Sequence, residues 1–103
     1  MHYPPFAVFA VIGRVEIKPG RADETLAMVS ERGTAMLDGM TGSAGGYWAR
    51  ALEGDRLIQH SFWLFDTEAN ARTAESTFGA LRNMPEAPAT FLSVDVCEII
   101  GRT

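Results

Sequence analysis

Residues 47–65 read YWARALEGDRLIQHSFWLF. Two runs rich in aromatic and large aliphatic residues flank Gly54 and Asp55. Glycine in the first position of a two-residue connection is typical of a type II′ hairpin turn. The pattern therefore predicts two antiparallel strands, over 47–53 and 56–65, that are joined by a tight turn.

Two further strands are predicted near the ends of the chain. Residues 6–18 are rich in valine, isoleucine and phenylalanine, and they stop at Pro19 and Gly20, which together signal a turn. Residues 90–100 form the last predicted strand. Four strands are therefore available for one sheet.

Helical periodicity fills the two segments between these strands. A helix over 22–37 carries Asp23 and Glu24 in its first turn, where negative charge stabilises the helix dipole. A second helix begins after Asp66 or Thr67, either of which can cap it. The predicted buried faces are Leu26, Val29, Gly33, Met36 and Met40 on the first helix, and Ala71, Ala74, Phe78 and Leu81 on the second.

The order of elements is β-α-β-β-α-β. In a chain of 103 residues this order predicts one α+β domain with a ferredoxin-like arrangement, in which both helices pack on one face of a four-stranded antiparallel sheet. We expect this domain to span 6–103, after a flexible tail over 1–5 that contains Pro4 and Pro5.

The composition excludes several classes of partner. Nine basic residues against 13 acidic ones give a net charge of −4 without a basic cluster, which argues against binding of nucleic acid or an anionic membrane. The early apolar run over 6–12 is too short to span a membrane. With a single cysteine and no cluster of metal-ligand residues, we expect a cytoplasmic protein that uses no metal or cofactor.

The face of the sheet without helices is predicted to be apolar. On the strand over 56–65, alternate residues on this face include Ile58, Phe62 and Leu64. Exposed apolar surfaces of this kind commonly mark interaction sites. We therefore expect a homodimer in which two such faces pack together.

The hairpin register brings an unusual set of side chains to the helix-covered face. If Gly54 and Asp55 form the turn, Trp48 lies opposite Ser61 and Arg50 lies opposite Gln59. Side chains alternate between the two faces of a strand, so these residues share a face with Trp63. Buried polar groups cost stability unless they are paired, and this combination is therefore unusual for a simple core.

These five residues are the candidate site for a planar aromatic ligand. Trp48 and Trp63 would stack on its rings, Arg50 would hold a phenolate, enolate or carboxylate, and Gln59 and Ser61 would supply polar contacts. In the alternative interpretation, Trp63 is a core residue and Arg50 is a solvated side chain that stacks on Trp48. His60 points to the opposite face by the same alternation, which favours a structural role over general-base catalysis.

Two segments resemble the antibiotic biosynthesis monooxygenase (ABM) family. They are LIQHSFWLFDTEANA at 57–71, with Phe78 downstream, and IKPG at 17–20. The resemblance implies a dimeric α+β barrel. It also implies catalytic roles for Trp63 and Gln59, because oxygenases of the family carry tryptophan and asparagine at the corresponding positions.

The resemblance favours a cofactor-independent monooxygenase that acts on a polycyclic phenol or quinol. The tyrosine of the family's phenol oxygenases falls at about Ala69, however, and the general base is not identified. Arg72 and Arg82 fall near the tryptophan and histidine of the haem-degrading branch, which disfavours haem degradation. The alternatives are a non-catalytic small-molecule-binding dimer and a polyketide cyclase-like protein of the same fold.

Overall fold

The computed structural model describes residues 7–101 and 103, so the predicted tail over 1–5 lies outside the described residues. The strands are β1 (Phe9–Ile17), β2 (Ser43–Glu53), β3 (Arg56–Phe65) and β4 (Ala89–Glu98). The helices are α1 (Ala22–Met28), which continues through a π-helical turn (Val29–Gly33) into α2 (Thr34–Asp38), and α3 (Glu68–Gly79), which ends in a 3₁₀ turn (Ala80–Asn83).

The sheet is antiparallel with the strand order β2-β3-β1-β4, which confirms the ferredoxin-like α+β fold. The hairpin pairs Glu53 with Arg56, as its sequence predicts. Gly54 has a φ of +68°, which is the left-handed conformation that a type II′ turn requires at its first central position. β2 begins earlier than the predicted residue 47, because a bulge between Ser43 and Gly46 adds a first pair to β3.

The first helical segment differs from the prediction in both its course and its buried face. The π-helical turn interrupts the predicted helix over 22–37, so a single 3.6-residue period does not describe the whole segment. Thr25 is buried, whereas Leu26 is 56% exposed. The predicted position of Leu26 in the core is therefore wrong. Neighbouring side chains on a helix point about 100° apart, so an inward Thr25 turns Leu26 outward.

The second helix packs on the sheet as predicted. Thr67 is its N-cap, and the hydroxyl of Thr67 accepts a hydrogen bond from the backbone N–H of Asn70 at 3.2 Å. Ala71, Ala74 and Phe78 are buried in the core. The ring of Phe78 lies directly over Gly13 of β1, where a Cβ atom would come within 2.2 Å of the ring. A glycine in the sheet thus provides the space for an aromatic side chain of the helix.

On the open face of the sheet, two ion pairs cover one end. Arg14 on β1 reaches across β3 to Glu53 on β2 at 2.8 Å, and Arg56 binds Glu16 at 2.7 Å. These hydrogen bonds from Arg56 lower the pKa of Glu16 below its ordinary value. Ile58 lies between the two pairs and is 0% exposed. Contrary to expectation, Ile58 therefore offers no surface to a partner.

The other end of the open face is apolar and partly exposed. Phe62 and Leu64 are half-buried, and the ring of Tyr47 stacks on that of Phe62 with a centroid distance of 4.7 Å. Tyr47 and Val8 are both largely exposed. Among the described residues, no helix has the length and hydropathy that would be needed to cross a membrane.

Replacement of Gly13 by alanine is expected to destabilise the fold. The added methyl group meets the Phe78 ring, and overpacking of this kind costs about 1 to 3 kcal/mol. Urea denaturation measures the change in the free energy of unfolding. Gly101→Ala is the matched control, because nothing lies within 4 Å of its Cβ position. Equal stability of the two variants would contradict the close contact between Gly13 and Phe78.

Candidate functional site

A cavity of about 330 Å³ separates the first helical segment from the sheet. Its floor is formed by the strands and its opposite wall by α1, the π-helical turn and α2, while α3 and the segment before β4 close one side. The strand residues that line it are Val15, Trp48, Gln59, Ser61, Trp63 and Ala89. The residues from the first helical segment are Thr25, Met28, Val29, Arg32, Gly33 and Met36. The structure therefore brings four of the five predicted site residues to one cavity.

Three aromatic rings form a continuous wall of this cavity. Trp48 and Trp63 meet edge to face with centroids 6.5 Å apart, and Trp63 meets Phe78 in the same way at 5.5 Å. Edge-to-face contact is a preferred arrangement of aromatic pairs. Trp63 and Phe78 are almost fully buried, whereas Trp48 is half-buried and keeps exposed ring surface. Gly33 of the π-helical turn lies beside Trp48, where a Cβ atom would be in van der Waals contact with the indole at 3.4 Å.

Trp63 belongs both to the core and to the cavity. Its side chain packs in the hydrophobic core and only 4% of the residue is exposed. Its indole Nε1 is buried and has no hydrogen-bond partner among the described residues. Buried donors are nearly always paired in folded proteins, and an unpaired one costs about 1 to 3 kcal/mol. An acceptor atom within hydrogen-bond distance of Nε1 would relieve this cost.

Gln59 and Ser61 are the other buried polar residues of the strand floor. The Oε1 atom of Gln59 accepts a hydrogen bond from Nε of Arg50 at 3.1 Å, which directs the amide nitrogen away from the guanidinium. In the described part of the chain, Nε1 of Trp63 is the one buried side-chain nitrogen or oxygen atom without a hydrogen-bond partner. Gln59 and Ser61 place further polar groups in the lining beside it.

Arg50 shares the face of the other four residues but does not line the cavity. Its Nη2 atom donates to the carbonyl oxygen of Ala22 at 2.9 Å and to the hydroxyl of Thr25. The guanidinium therefore joins β2 to the first turn of α1, in addition to its bond to Gln59. These partners differ from the ligand anion that the sequence predicts, and also from the solvated stacking on Trp48 that was its alternative.

Sequence reasoning missed Arg32, which lies in the π-helical turn and lines the cavity. Arg32 directly precedes Gly33, which is on the predicted apolar face. This position was the signal in the sequence that Arg32 could lie near the site. Arg32 is the one ionisable side chain among the described lining residues. His60 pairs with Arg14 and Ala49 on the opposite face, as predicted, and no described group of residues could hold a metal ion.

Arg50→Met is expected to lower the free energy of unfolding by about 2 to 3 kcal/mol, because hydrogen bonds from a charged donor contribute about 1.5 to 3 kcal/mol. Arg32→Met removes the same charge from a side chain without a described partner, and its effect should stay within about 0.5 kcal/mol. Chemical denaturation compares the two variants directly. Similar losses in both would show that the Arg50 contacts do not hold α1 in place.

Comparison with known proteins finds similarity in structure only. No protein-family model and no curated protein matches the chain. Among solved structures, the heme-degrader MhuD of Mycobacterium tuberculosis, with two hemes bound in its active site, has a TM-score of 0.68 and 17% identity over 92% of this chain and 98% of its own. A protein of unknown function from Nitrosomonas europaea has a TM-score of 0.65 and 15% identity over 97% of this chain and 96% of its own. The chain therefore shares the fold of these proteins.

Proposed function

We propose that the cavity binds a planar aromatic small molecule of the phenol or quinol type, which the protein oxygenates without a cofactor. The observation that carries this proposal is the buried, unpartnered indole N–H of Trp63 in an aromatic-walled cavity. A free donor at that position has a use if an oxygen atom of a ligand accepts from it. The cavity volume of about 330 Å³ lies at the lower end of the range for small-molecule sites.

The donors of the floor would stabilise a phenolate or enolate. In this proposal the indole N–H of Trp63 and the amide nitrogen of Gln59, both on residues that line the cavity, donate to the ligand oxygen, and the hydrogen bond from Arg50 orients the amide. Fixed donors in a site that excludes water favour a developing oxyanion over the neutral form. Arg50 is then a positioning residue, which acts on the ligand through Gln59.

The reaction requires few catalytic groups from the protein besides these donors. A deprotonated anthrone-type substrate can itself donate electrons to dioxygen. Oxidation of its CH₂ group to a carbonyl releases four electrons, which reduce one dioxygen molecule: one oxygen atom enters the product and the other leaves as water. The described lining residues include no carboxylate, imidazole or amine to act as base. In this proposal the substrate loses its proton to solvent before it enters the cavity, and the donors of the floor stabilise the bound anion.

The heme bound by MhuD raises the question of whether heme would fit the cavity of this chain. Protein ligands to heme iron are histidine, cysteine or tyrosine, or methionine together with histidine. The described lining residues include Met28 and Met36 but none of the other types, and His60 is on the opposite face of the sheet. The lining does not fit an iron-ligated heme, and the reaction proposed here has no step that uses one.

The alternative candidate functions are a non-catalytic dimer that only binds such a molecule and a polyketide cyclase-like protein of the same fold. The observation that favours the non-catalytic dimer is the same lack of a carboxylate, imidazole or amine among the described lining residues. Separate measurements of binding and of oxygen uptake therefore distinguish the oxygenase from the non-catalytic dimer.

Trp63→Phe is expected to weaken binding of anthrone under anaerobic conditions by about tenfold and to slow oxygen uptake in air by about tenfold or more. The substitution keeps an aromatic ring but removes the donor, and a hydrogen bond to an anionic acceptor contributes about 1.5 to 3 kcal/mol. Both tryptophans of the chain line the cavity, so quenching of tryptophan fluorescence reports occupancy directly. An oxygen electrode measures turnover.

Leu52→Ala is the control, because Leu52 is 71% exposed and lies outside the lining. Normal binding without oxygen uptake above buffer would support the non-catalytic candidate and reject the oxygenase. Absence of quenching by anthrone would reject both. Equal binding by wild type and Trp63→Phe would show that the indole N–H does not contact the ligand.

We also propose that two chains associate through the open face of the sheet. The exposed end of this face, with Tyr47, Phe62 and Leu64, supplies an apolar surface beside the ion pairs over Ile58. Burial of such a surface is the dominant favourable term in protein association.

Light scattering at micromolar concentration should give twice the chain mass of 11.2 kDa. Phe62→Asp places a charge in the proposed interface and should yield the monomer, because an unpaired buried charge is strongly unfavourable. Leu52→Asp introduces the same charge on the other face and should leave the dimer intact. A wild-type monomer at this concentration would refute the proposed association.

A further inference from the structure

Arg32 is distinguished from the other arginines by the lack of a partner. Among residues 7–101, each of the others contacts a carboxylate, a side-chain amide or an aromatic ring: Arg14, Arg21, Arg50, Arg56, Arg72 and Arg82. No hydrogen bond or ion pair joins Arg32 to a described residue, although the chain carries 13 acidic residues. The guanidinium of Arg32 is therefore available to an external anion.

The charges of the cavity lining favour a ligand that carries a negative charge. Among the described residues, no aspartate or glutamate lines the cavity, so Arg32 gives its lining a positive charge while the whole chain has a net charge of −4. The residue is exposed although it belongs to the lining, which places it at the mouth rather than on the floor. An anionic group at this mouth would meet attraction without a competing carboxylate in the lining.

The local structure places this charge beside the aromatic wall. Arg32 lies in the π-helical turn, and the next residue, Gly33, packs near the indole of Trp48. A ring that lies against Trp48 would thus have its outer edge near the turn that carries Arg32. Single π-helical turns within helices are frequent at functional sites, where they change the direction of a side chain.

We propose that the ligand is an aromatic carboxylic acid, and that its carboxylate pairs with Arg32 at the mouth of the cavity. This inference rests on the proposed binding function and adds the chemical class of the ligand. The planar body lies against Trp48, an acceptor oxygen at the inner end reaches the Trp63 N–H, and the carboxylate remains at the mouth. The fork of a guanidinium matches a carboxylate through two parallel hydrogen bonds. Arg32 thereby selects acidic aromatic molecules over neutral ones of the same shape.

The test compares two probes of equal shape, anthraquinone-2-carboxylate and anthraquinone-2-carboxamide, by quenching of tryptophan fluorescence. The wild-type protein should bind the carboxylate about tenfold more tightly, which corresponds to about 1.4 kcal/mol. Arg32→Met should bind the two probes equally and should retain the wild-type affinity for the carboxamide. Arg32→Lys should restore part of the preference. Added salt should reduce the preference of the wild type, because the pair is at the surface.

Arg72→Met is the matched control, since it removes the same charge from the exposed side of α3, where Arg72 pairs with Glu68 and Glu75. This variant should keep the wild-type preference. Equal binding of both probes by the wild type, or a preference that persists in Arg32→Met, would overturn the inference and leave the proposed binding function standing. Failure of both probes to bind the wild type would reject the inference together with the proposed binding of planar aromatic molecules.

Discussion

The cavity exists because the first helical segment is held at one end by hydrogen bonds rather than packed along its length on the sheet. Arg50 projects from β2 and donates to the Ala22 carbonyl oxygen and the Thr25 hydroxyl, so the first turn of α1 is tied to the strands. At the other end of the segment, Leu37 is buried in the core. Between these two attachments the chain makes a π-helical turn and leaves space above Trp48 and Trp63.

The polar groups of the cavity floor cost stability, and the proposed binding function would account for this cost. A sheet face covered by two closely packed helices would carry aliphatic residues, whereas this one carries an amide, a hydroxyl and an indole whose N–H is unpaired. Strain and unsatisfied groups of this kind occur in natural proteins mainly at functional sites, and their cost is compensated elsewhere in the structure. Under α3, by contrast, the same face of the sheet is closely packed, with the ring of Phe78 on Gly13.

The features that depend on strand alternation were predictable from the sequence. The turn at Gly54 determines the register, and the register alone places Trp48, Gln59, Ser61 and Trp63 on the same face. Register does not reveal how far a side chain reaches or which partner it meets. For this reason the sequence predicted correctly that Arg50 lies on the helix-covered face of the sheet, but it did not predict the hydrogen bond from Arg50 to α1. The outward position of Leu26 follows from the inward position of Thr25 on α1, and Arg32 reaches the cavity lining from the π-helical turn. No local pattern in the sequence marks either feature.

The two faces of the sheet separate the proposed association from ligand binding. The cavity lies between the sheet and the helices, whereas Phe62 and Tyr47 lie on the opposite face. The pairs Arg14–Glu53 and Arg56–Glu16 cover Ile58 and confine the apolar surface to the other end of that face. A second copy that docks there would contact β3 from behind Trp63 and leave the mouth at Arg32 on the helical side. Because β3 contributes to both faces, association would stiffen the strand that carries Gln59 and Trp63 without closing the route by which a ligand enters.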